Sequence, residues 1–164
     1  MKLYLLTSLF LLLISTEGLS QRSYSSNEGL RKNSVYATAG IYLEDIYVNI
    51  TANYERMILE FPDSFFNAIQ ARIGGGPYVA WMSQGINFFS VASLCMGRSS
   101  SHLETGIGVL FTYHPDRKEW NPLVNDRHIA GNLGYRFQRP GGRFLFRAGL
   151  GWPEGFYVSL GYCF

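Results

Sequence analysis

From Ser34 to Phe164 the chain is built from segments in which large apolar side chains return at every second position. A period of two marks a strand with one apolar face, because successive side chains of an extended chain leave on opposite sides. The last segment shows it best: Phe156, Val158, Leu160, Tyr162 and Phe164 form one face, and Tyr157, Ser159, Gly161 and Cys163 the other. Eight segments of this kind follow one another between turn residues. Each is close to the ~9–11 residues that a tilted strand needs to cross a bilayer. An even number of antiparallel strands that closes on itself leaves no edge unpaired. The predicted fold is therefore all-β, an eight-stranded antiparallel up-and-down transmembrane β-barrel over residues 34–164.

In chain order the apolar face of the first segment is Val35, Ala37, Ala39, Ile41 and Leu43, and that of the second is Ile46, Val48, Ile50, Ala52 and Tyr54, with a turn at Glu44-Asp45. The third runs from Phe65 to Gly74 and is predicted to end at Gly74-Gly-Gly-Pro77, since glycine and proline weaken a strand. The fourth, about Gln84 to Met96, is apolar but alternates poorly, which suggests a bulge. The fifth sets Leu103 to Tyr113 against Glu104, Gly106, Gly108, Leu110 and Thr112. The sixth opposes Ile129, Gly131, Leu133, Tyr135 and Phe137 to Asn132, Gly134 and Arg136. A tight turn at Arg139-Pro-Gly-Gly142 leads to the seventh, Phe144 to Trp152, and Pro153-Glu-Gly155 turns into the eighth. Asn49-Ile50-Thr51 spells a glycosylation sequon but lies within a strand, and is read as chance.

Before the barrel, Met1-Lys2, the apolar run Leu3 to Ile14 and the small polar stretch to Ser20 read as a signal peptide over 1–20. The run is short of the ~20 apolar residues of a spanning helix, which disfavours a retained anchor. No Cys stands at the cleavage point to take a lipid. Residues 21–33 are polar without a period and are predicted to form a leader outside the fold. Charged residues make up 16% of the chain, below the usual ~25%, and a further 16% is aromatic. A chain so poor in charge and rich in rings suits a wall that does not face water. The net charge of +2 gives no reason to expect nucleic acid. Cys95 and Cys163 fall on the fourth and eighth segments, on opposite sides of the closed sheet. A disulfide needs Cα atoms within ~7 Å, so two unpaired thiols are predicted.

A soluble eight-stranded barrel with its apolar face inward would show the same alternation. Its interior is only just wide enough for side chains, and the Phe, Leu, Ile, Val and Tyr of these strands would overfill it. The other face carries the strand glycines and Glu55, Arg72, Glu104, Arg136 and Arg147, which are able to pair across a narrow lumen. Buried charges must pair, so this set is predicted to form a salt-bridge network that plugs the barrel. With both termini periplasmic, Tyr113, Trp152 and Phe156 fall at the outer end. Tyr54, Tyr135, Phe137, Phe144, Tyr162 and Phe164 fall at the inner end, and together they make two aromatic girdles. The longest connection, His114 to Arg127, is then extracellular, as is usual for such barrels.

A last strand that runs to an aromatic end residue resembles the closing signature of Gram-negative outer-membrane barrels, which the insertion machinery reads. The stretch Gly134-Tyr-Arg-Phe-Gln-Arg-Pro-Gly-Gly-Arg-Phe-Leu-Phe-Arg-Ala-Gly149, followed by Gly155-Phe-Tyr-Val-Ser-Leu-Gly-Tyr-Cys-Phe164, resembles small outer-membrane β-barrel proteins of the Bacteroidota. The architecture is similar to the OmpA-type transmembrane domain, without a periplasmic domain after it. The resemblance implies the fold and a place in the cell outer membrane. It carries little mechanism.

Ser101, His102 and Glu104 invite comparison with outer-membrane lipid A deacylases, barrels that use a Ser-His-acid set. A nucleophile needs its base within hydrogen-bond reach, whereas Ser101 and His102, adjacent on a strand, point to opposite faces. His114, Asp116, Asp126 and His128 bracket the long loop and have the donor chemistry for a metal, but no short fixed spacing supports one. Neither Gly106-Ile-Gly108 nor Gly74-Gly-Gly76 precedes a helix, so no phosphate loop and no cofactor are predicted. The expectation is a non-enzymatic, integral outer-membrane barrel acting as a structural or accessory component with its lumen plugged by polar and charged side chains. Its expected partners are membrane lipid, lipopolysaccharide, the insertion machinery and a larger outer-membrane complex. The alternatives are a lipid-modifying hydrolase and a narrow pore.

Overall fold

The computed structural model describes residues 29–43, 47–61, 64–81, 83–114 and 127–164. Within them the chain forms eight strands: β1 Asn33–Tyr42, β2 Tyr47–Glu60, β3 Phe66–Ala80, β4 Ser83–Arg98, β5 Ser101–Tyr113, β6 Arg127–Gln138, β7 Phe144–Trp152 and β8 Gly155–Cys163. Each strand pairs antiparallel with its neighbours in sequence, and β8 returns to β1, so the sheet is a closed barrel. In the closing pair Val35 faces Tyr162 and Ile41 faces Phe156. The register matches the two apolar faces, which a slip of one residue would turn to opposite sides.

The faces are sorted by polarity. Large apolar side chains point out along the whole wall, for example Ile50, Ile73, Phe88, Ile107, Leu133 and Leu160, each more than half exposed. The buried set is mostly polar: Thr38, Asn49, Thr51, Asn53, Gln70, Asn87, Ser93, Asn132, Gln138 and Ser159 all face the lumen, beside six charged side chains. A soluble barrel would have this arrangement inside out. An apolar exterior of this extent on a closed sheet is the wall of a barrel that sits in lipid.

Three details depart from the expectation. Strand β3 does not stop at Gly74 but continues through Gly74-Gly-Gly-Pro77 to Ala80. Proline lacks an N–H, and the β2–β3 ladder skips the stretch between Tyr78 and Gly75, so no ladder bond to β2 is needed from Pro77. Gly76 lets the two backbones close in there, since a Cβ would overlap the Ile50 carbonyl oxygen. Strand β4 alternates cleanly, with Asn87, Phe89, Val91, Ser93 and Cys95 inward and Ile86, Phe88, Ser90 and Ala92 outward. The pattern is blurred in sequence because Phe89, Val91 and Cys95 are apolar residues turned into the lumen. The register shifts lie instead between Met57 and Leu59 on β2 and between Phe66 and Ala68 on β3.

The third departure is at the end of the barrel that carries the termini. Residues 29–32, assigned by sequence to a leader outside the fold, lie against the barrel. Leu30 packs on Met57, Ala68 and Cys95, the Met57 amide donates to the Lys32 carbonyl at 2.7 Å, and the Gly141 amide donates to the Gly29 carbonyl at 3.1 Å. The segment closes the lumen where Met57, Ala68 and Cys95 would otherwise face water. Leu30 is partly buried there, so it contributes a fraction of the ~1.5–3 kcal/mol that a fully buried leucine would. The predicted signal peptide and the rest of the leader lie outside the described residues.

Candidate functional site

The most organised polar assembly is the lumen. Arg147 on β7 forms a two-pronged pair with Glu104 on β5: Nε donates to Oε2 at 3.0 Å and Nη2 to Oε1. Its third prong, Nη1, donates to the Tyr36 hydroxyl at 2.6 Å, and that hydroxyl donates on to Glu55 at 3.3 Å. Arg136 on β6 reaches across to Glu55 on β2, with Nη1 2.6 Å from Oε1, and also donates to Gln70 at 2.9 Å and to Gln138 at 3.0 and 2.7 Å. Asn132 donates to Glu104 and Ser34 to Glu55, at 2.9 and 3.2 Å. Guanidinium forks match carboxylates in two-point geometry, and such pairs are short and strong.

Arg72 uses a partner that the sequence reading missed. Its Nη1 lies 2.9 Å from Oε1 of Glu154, which belongs to the turn between β7 and β8, and both side chains are fully buried. That turn folds into the mouth of the barrel opposite the termini. Pro153, Glu154 and Gly155 are all buried, and Asn49 donates to the Pro153 carbonyl at 2.9 Å. A Cβ on Gly40 would overlap the Glu154 carbonyl, and Gly155 takes φ +70°, so two glycines make the inward fold possible. The only cue in the sequence was a carboxylate in a Pro-Glu-Gly turn, which is ordinarily solvated.

Among the described buried residues the network therefore balances three arginines, Arg72, Arg136 and Arg147, with three glutamates, Glu55, Glu104 and Glu154. Arene faces add to it: the Arg72 guanidinium lies 5.0 Å from the Phe89 ring, and that of Arg147 lies 4.8 Å from Tyr36 and 5.5 Å from Tyr157. Further toward the mouth opposite the termini Phe89, Val91, Leu110 and Ala130 form an apolar layer. The lumen is occupied by side chains from its charged middle to this layer.

At the mouth opposite the termini Tyr47 stacks on Tyr78 with ring centroids 5.1 Å apart, and Trp152 stacks on Tyr47 at 6.2 Å. Thr112 donates to Asn87, and Asn87 to the Tyr47 hydroxyl. The Tyr78 hydroxyl and His114 Nδ1 are 2.8 Å apart. Of the girdle residues, Trp152 and Phe156 are exposed at this end and Tyr113 is half-buried. Trp81, absent from that set, lies at the same end of the barrel between β3 and β4 and is 77% exposed. At the other end Tyr54, Tyr135, Phe144, Tyr162 and Phe164 are exposed and Phe137 is half-buried. On the closing strand Phe156, Val158, Leu160, Tyr162 and Phe164 all face out, and Tyr162 stacks on Phe164 at 6.4 Å.

The sets proposed for chemistry are not assembled as such. The Ser101 hydroxyl lies on the wall 2.9 Å from the Tyr135 hydroxyl. His102 is buried on the lumen side and Glu104 is engaged by Arg147 and Arg136, so no Ser-His-acid relay forms. Of the loop set, His114 is half-buried against Tyr78 and His128 is exposed, while Asp116 and Asp126 lie outside the described residues. No group of three metal-capable side chains occurs among the described residues. Cys95 and Cys163 are both buried free thiols, in separate clusters.

No protein-family model matches the chain, and no curated protein is similar to it in sequence. A search of solved structures finds a likeness to the outer membrane enzyme PagL, at a TM-score of 0.40 and 16% identity, covering 79% of this chain and 95% of that one. The likeness is one of barrel fold. It nevertheless corrects one expectation: a barrel without a recognisable reactive motif was read as a non-enzymatic structural or accessory component, and the similar structure is that of an enzyme. A missing motif is in itself no ground for excluding catalysis, and the non-enzymatic reading is withdrawn.

Proposed function

We propose that this protein is an integral outer-membrane barrel that acts at the bilayer itself, with both termini periplasmic and no passage for solutes through its interior. The observation that carries this reading is the pairing of an apolar wall with a lumen crossed by four arginine–glutamate contacts, Arg72–Glu154, Arg136–Glu55, Arg136–Glu104 and Arg147–Glu104. A solute pore would need those charges to line water instead of one another. Membrane lipid and lipopolysaccharide are its proposed partners, and the closing strand ending at Phe164 is the segment the insertion machinery would read. The relationship to small Bacteroidota barrels of OmpA type belongs to the same proposal.

A lipid-modifying hydrolase is the second reading, and the Tyr78–His114 contact favours it. A histidine oriented by a phenol at the outer rim has the chemistry of a general base for attack of water on an ester. It lies at the end that faces outer-leaflet lipid, unlike Ser101 and His102.

Two measurements on the full chain test these readings. Reconstituted into planar bilayers, the protein should give no conductance steps, and in cells it should fractionate with outer membrane. Regular conductance steps, or recovery from soluble periplasm, would refute the main reading. Mass spectrometry of lipids from cells with and without the protein addresses the second. A changed acyl pattern that His114→Ala abolishes supports it, and identical lipids in both remove it.

A further inference from the structure

The end of the barrel that carries the termini is strongly cationic, and the cations sit on its aromatic girdle. Arg31 and Lys32 precede β1, Arg56 faces out at the inner end of β2 opposite Asn33, and Arg139 and Arg143 flank the β6–β7 turn; all five are exposed. The described acidic groups at the same rim are Glu60, whose carboxylate lies against Gly29, and the chain-end carboxyl of Phe164. The Arg139 guanidinium lies 6.0 Å from the Phe137 ring and that of Arg143 lies 5.9 Å from the Tyr162 ring. Both rings belong to the girdle, so both arginines are held at the level where acyl chains give way to headgroups.

Between these residues is a cavity of about 450 Å³, lined by Leu30, Arg31, Lys32, Asn33, Gly141 and Phe164. Its shape is fixed by main-chain pairing: the Asn33 amide donates to the Phe164 carbonyl at 3.1 Å, and the Phe164 amide to the Asn33 carbonyl at 2.8 Å. Arg31 is tied across it, with Nε donating to the Gly141 carbonyl at 3.0 Å. A guanidinium anchored through Nε keeps the rest of its planar fork for an anion, and guanidinium forks suit phosphate oxygens. The exposed Phe164 side chain adds an apolar surface against which an acyl chain can lie.

We propose that this rim binds the phosphate of an anionic glycerophospholipid in the periplasmic leaflet, with Arg31 and Lys32 in the cavity and Arg139 and Arg143 beside it. The proposal rests on the membrane reading above and names the lipid that this end of the barrel selects. Basic side chains at a membrane surface attract anionic headgroups, each adding to the preference.

The test is native mass spectrometry of the folded full chain in a neutral detergent, titrated separately with phosphatidylglycerol, phosphatidylcholine, lipid A and inorganic phosphate. Phosphatidylglycerol should remain bound on release from the micelle, and phosphatidylcholine much less. The Arg31→Gln/Lys32→Gln variant should lose phosphatidylglycerol on the order of tenfold or more, and the charge-conserving Lys32→Arg should keep it. Equal retention of the two phospholipids, or undiminished retention by the glutamine variant, overturns the proposal. So does preferential capture of lipid A, or displacement of lipid by equimolar inorganic phosphate. A gel shift between unheated and boiled samples reports folding of each variant; if the double variant fails it, the exposed single change Lys32→Gln replaces it. Insertion into phosphatidylcholine vesicles is scored in parallel. Failure to insert refutes the membrane reading, whereas insertion without lipid preference refutes this site alone.

Discussion

Arg72 on β3 and Glu154 in the turn after β7 meet across the lumen at 2.9 Å, with both side chains fully buried. The contact ties the turn between β7 and β8 to the far wall of the barrel. It also completes the charge balance of the interior, since without Glu154 the buried arginines would outnumber the buried glutamates.

Removing one member of that pair strands the other in a desolvated lumen, which costs about 3–5 kcal/mol. Glu154→Ala should therefore lower the urea midpoint of the folded barrel clearly, whereas the double change Arg72→Met/Glu154→Leu, which removes both charges, should recover most of the loss. Equal losses in the single and double variants would show that the pair is not coupled.

Gly40 tests the inward fold of the same turn from the opposite strand. A methyl group there would overlap the Glu154 carbonyl, so Gly40→Ala must push the turn outward or strain β1, at about 1–3 kcal/mol. Combined with Glu154→Ala the two costs should fall short of their sum, because both act on one turn. Full additivity in a double-mutant cycle would argue against the shared cause.

A charge on the wall separates a membrane barrel from a soluble one. Ile107, near the middle of β5, is 67% exposed, and on a soluble protein Ile107→Arg would be close to neutral. In lipid an arginine at mid-depth costs about 2–4 kcal/mol and one near the interface about 0–1 kcal/mol. Unfolding from vesicles should show Ile107→Arg strongly destabilised and Trp81→Arg, at the edge of the barrel, much less so.

The two thiols should behave as separate buried groups. Cys95 and Cys163 are free and fully buried in different clusters, so a maleimide should label neither in the folded barrel and both after unfolding. The labelled mass should be unchanged by prior reductant; a gain of label on reduction would reveal a disulfide.

Much of this fold was legible because a barrel wall imposes a strict rule on sequence. Every second residue meets lipid, so Val158, Leu160 and Tyr162 declare the face of β8 without reference to any other strand. The rule fails where an inward residue is also apolar. Phe89 and Val91 obscured β4 because they serve a lumen layer with Leu110 and Ala130, and that layer exists only once three strands are brought together. It fails again at Gly74-Gly-Gly-Pro77, where local preference says stop while the gap in the β2–β3 ladder lets β3 continue.

The candidate sites divide along the same line. Glu55, Arg72, Glu104, Arg136 and Arg147 were identifiable as a group because charges on the non-lipid face of a strand have nowhere to go but the lumen. Which arginine meets which glutamate was not, because pairing across a barrel depends on the heights that strand tilt gives to β2, β3, β5, β6 and β7. Glu154 lay outside any strand pattern and needed the packed turn to be found.

By itself the sequence determined the closed eight-stranded sheet and its lipid-facing side, since a period of two is a local property that survives without knowledge of neighbours. The tertiary structure alone decided that Glu154 caps the lumen, that residues 29–32 close its other end, and that Arg139 and Arg143 stand on girdle rings around a cavity. Those are relations between segments far apart in the chain, as from Arg31 to Gly141, 110 positions on. Nothing in the local alternation of side chains encodes them, because they depend on where closure of the sheet brings its ends.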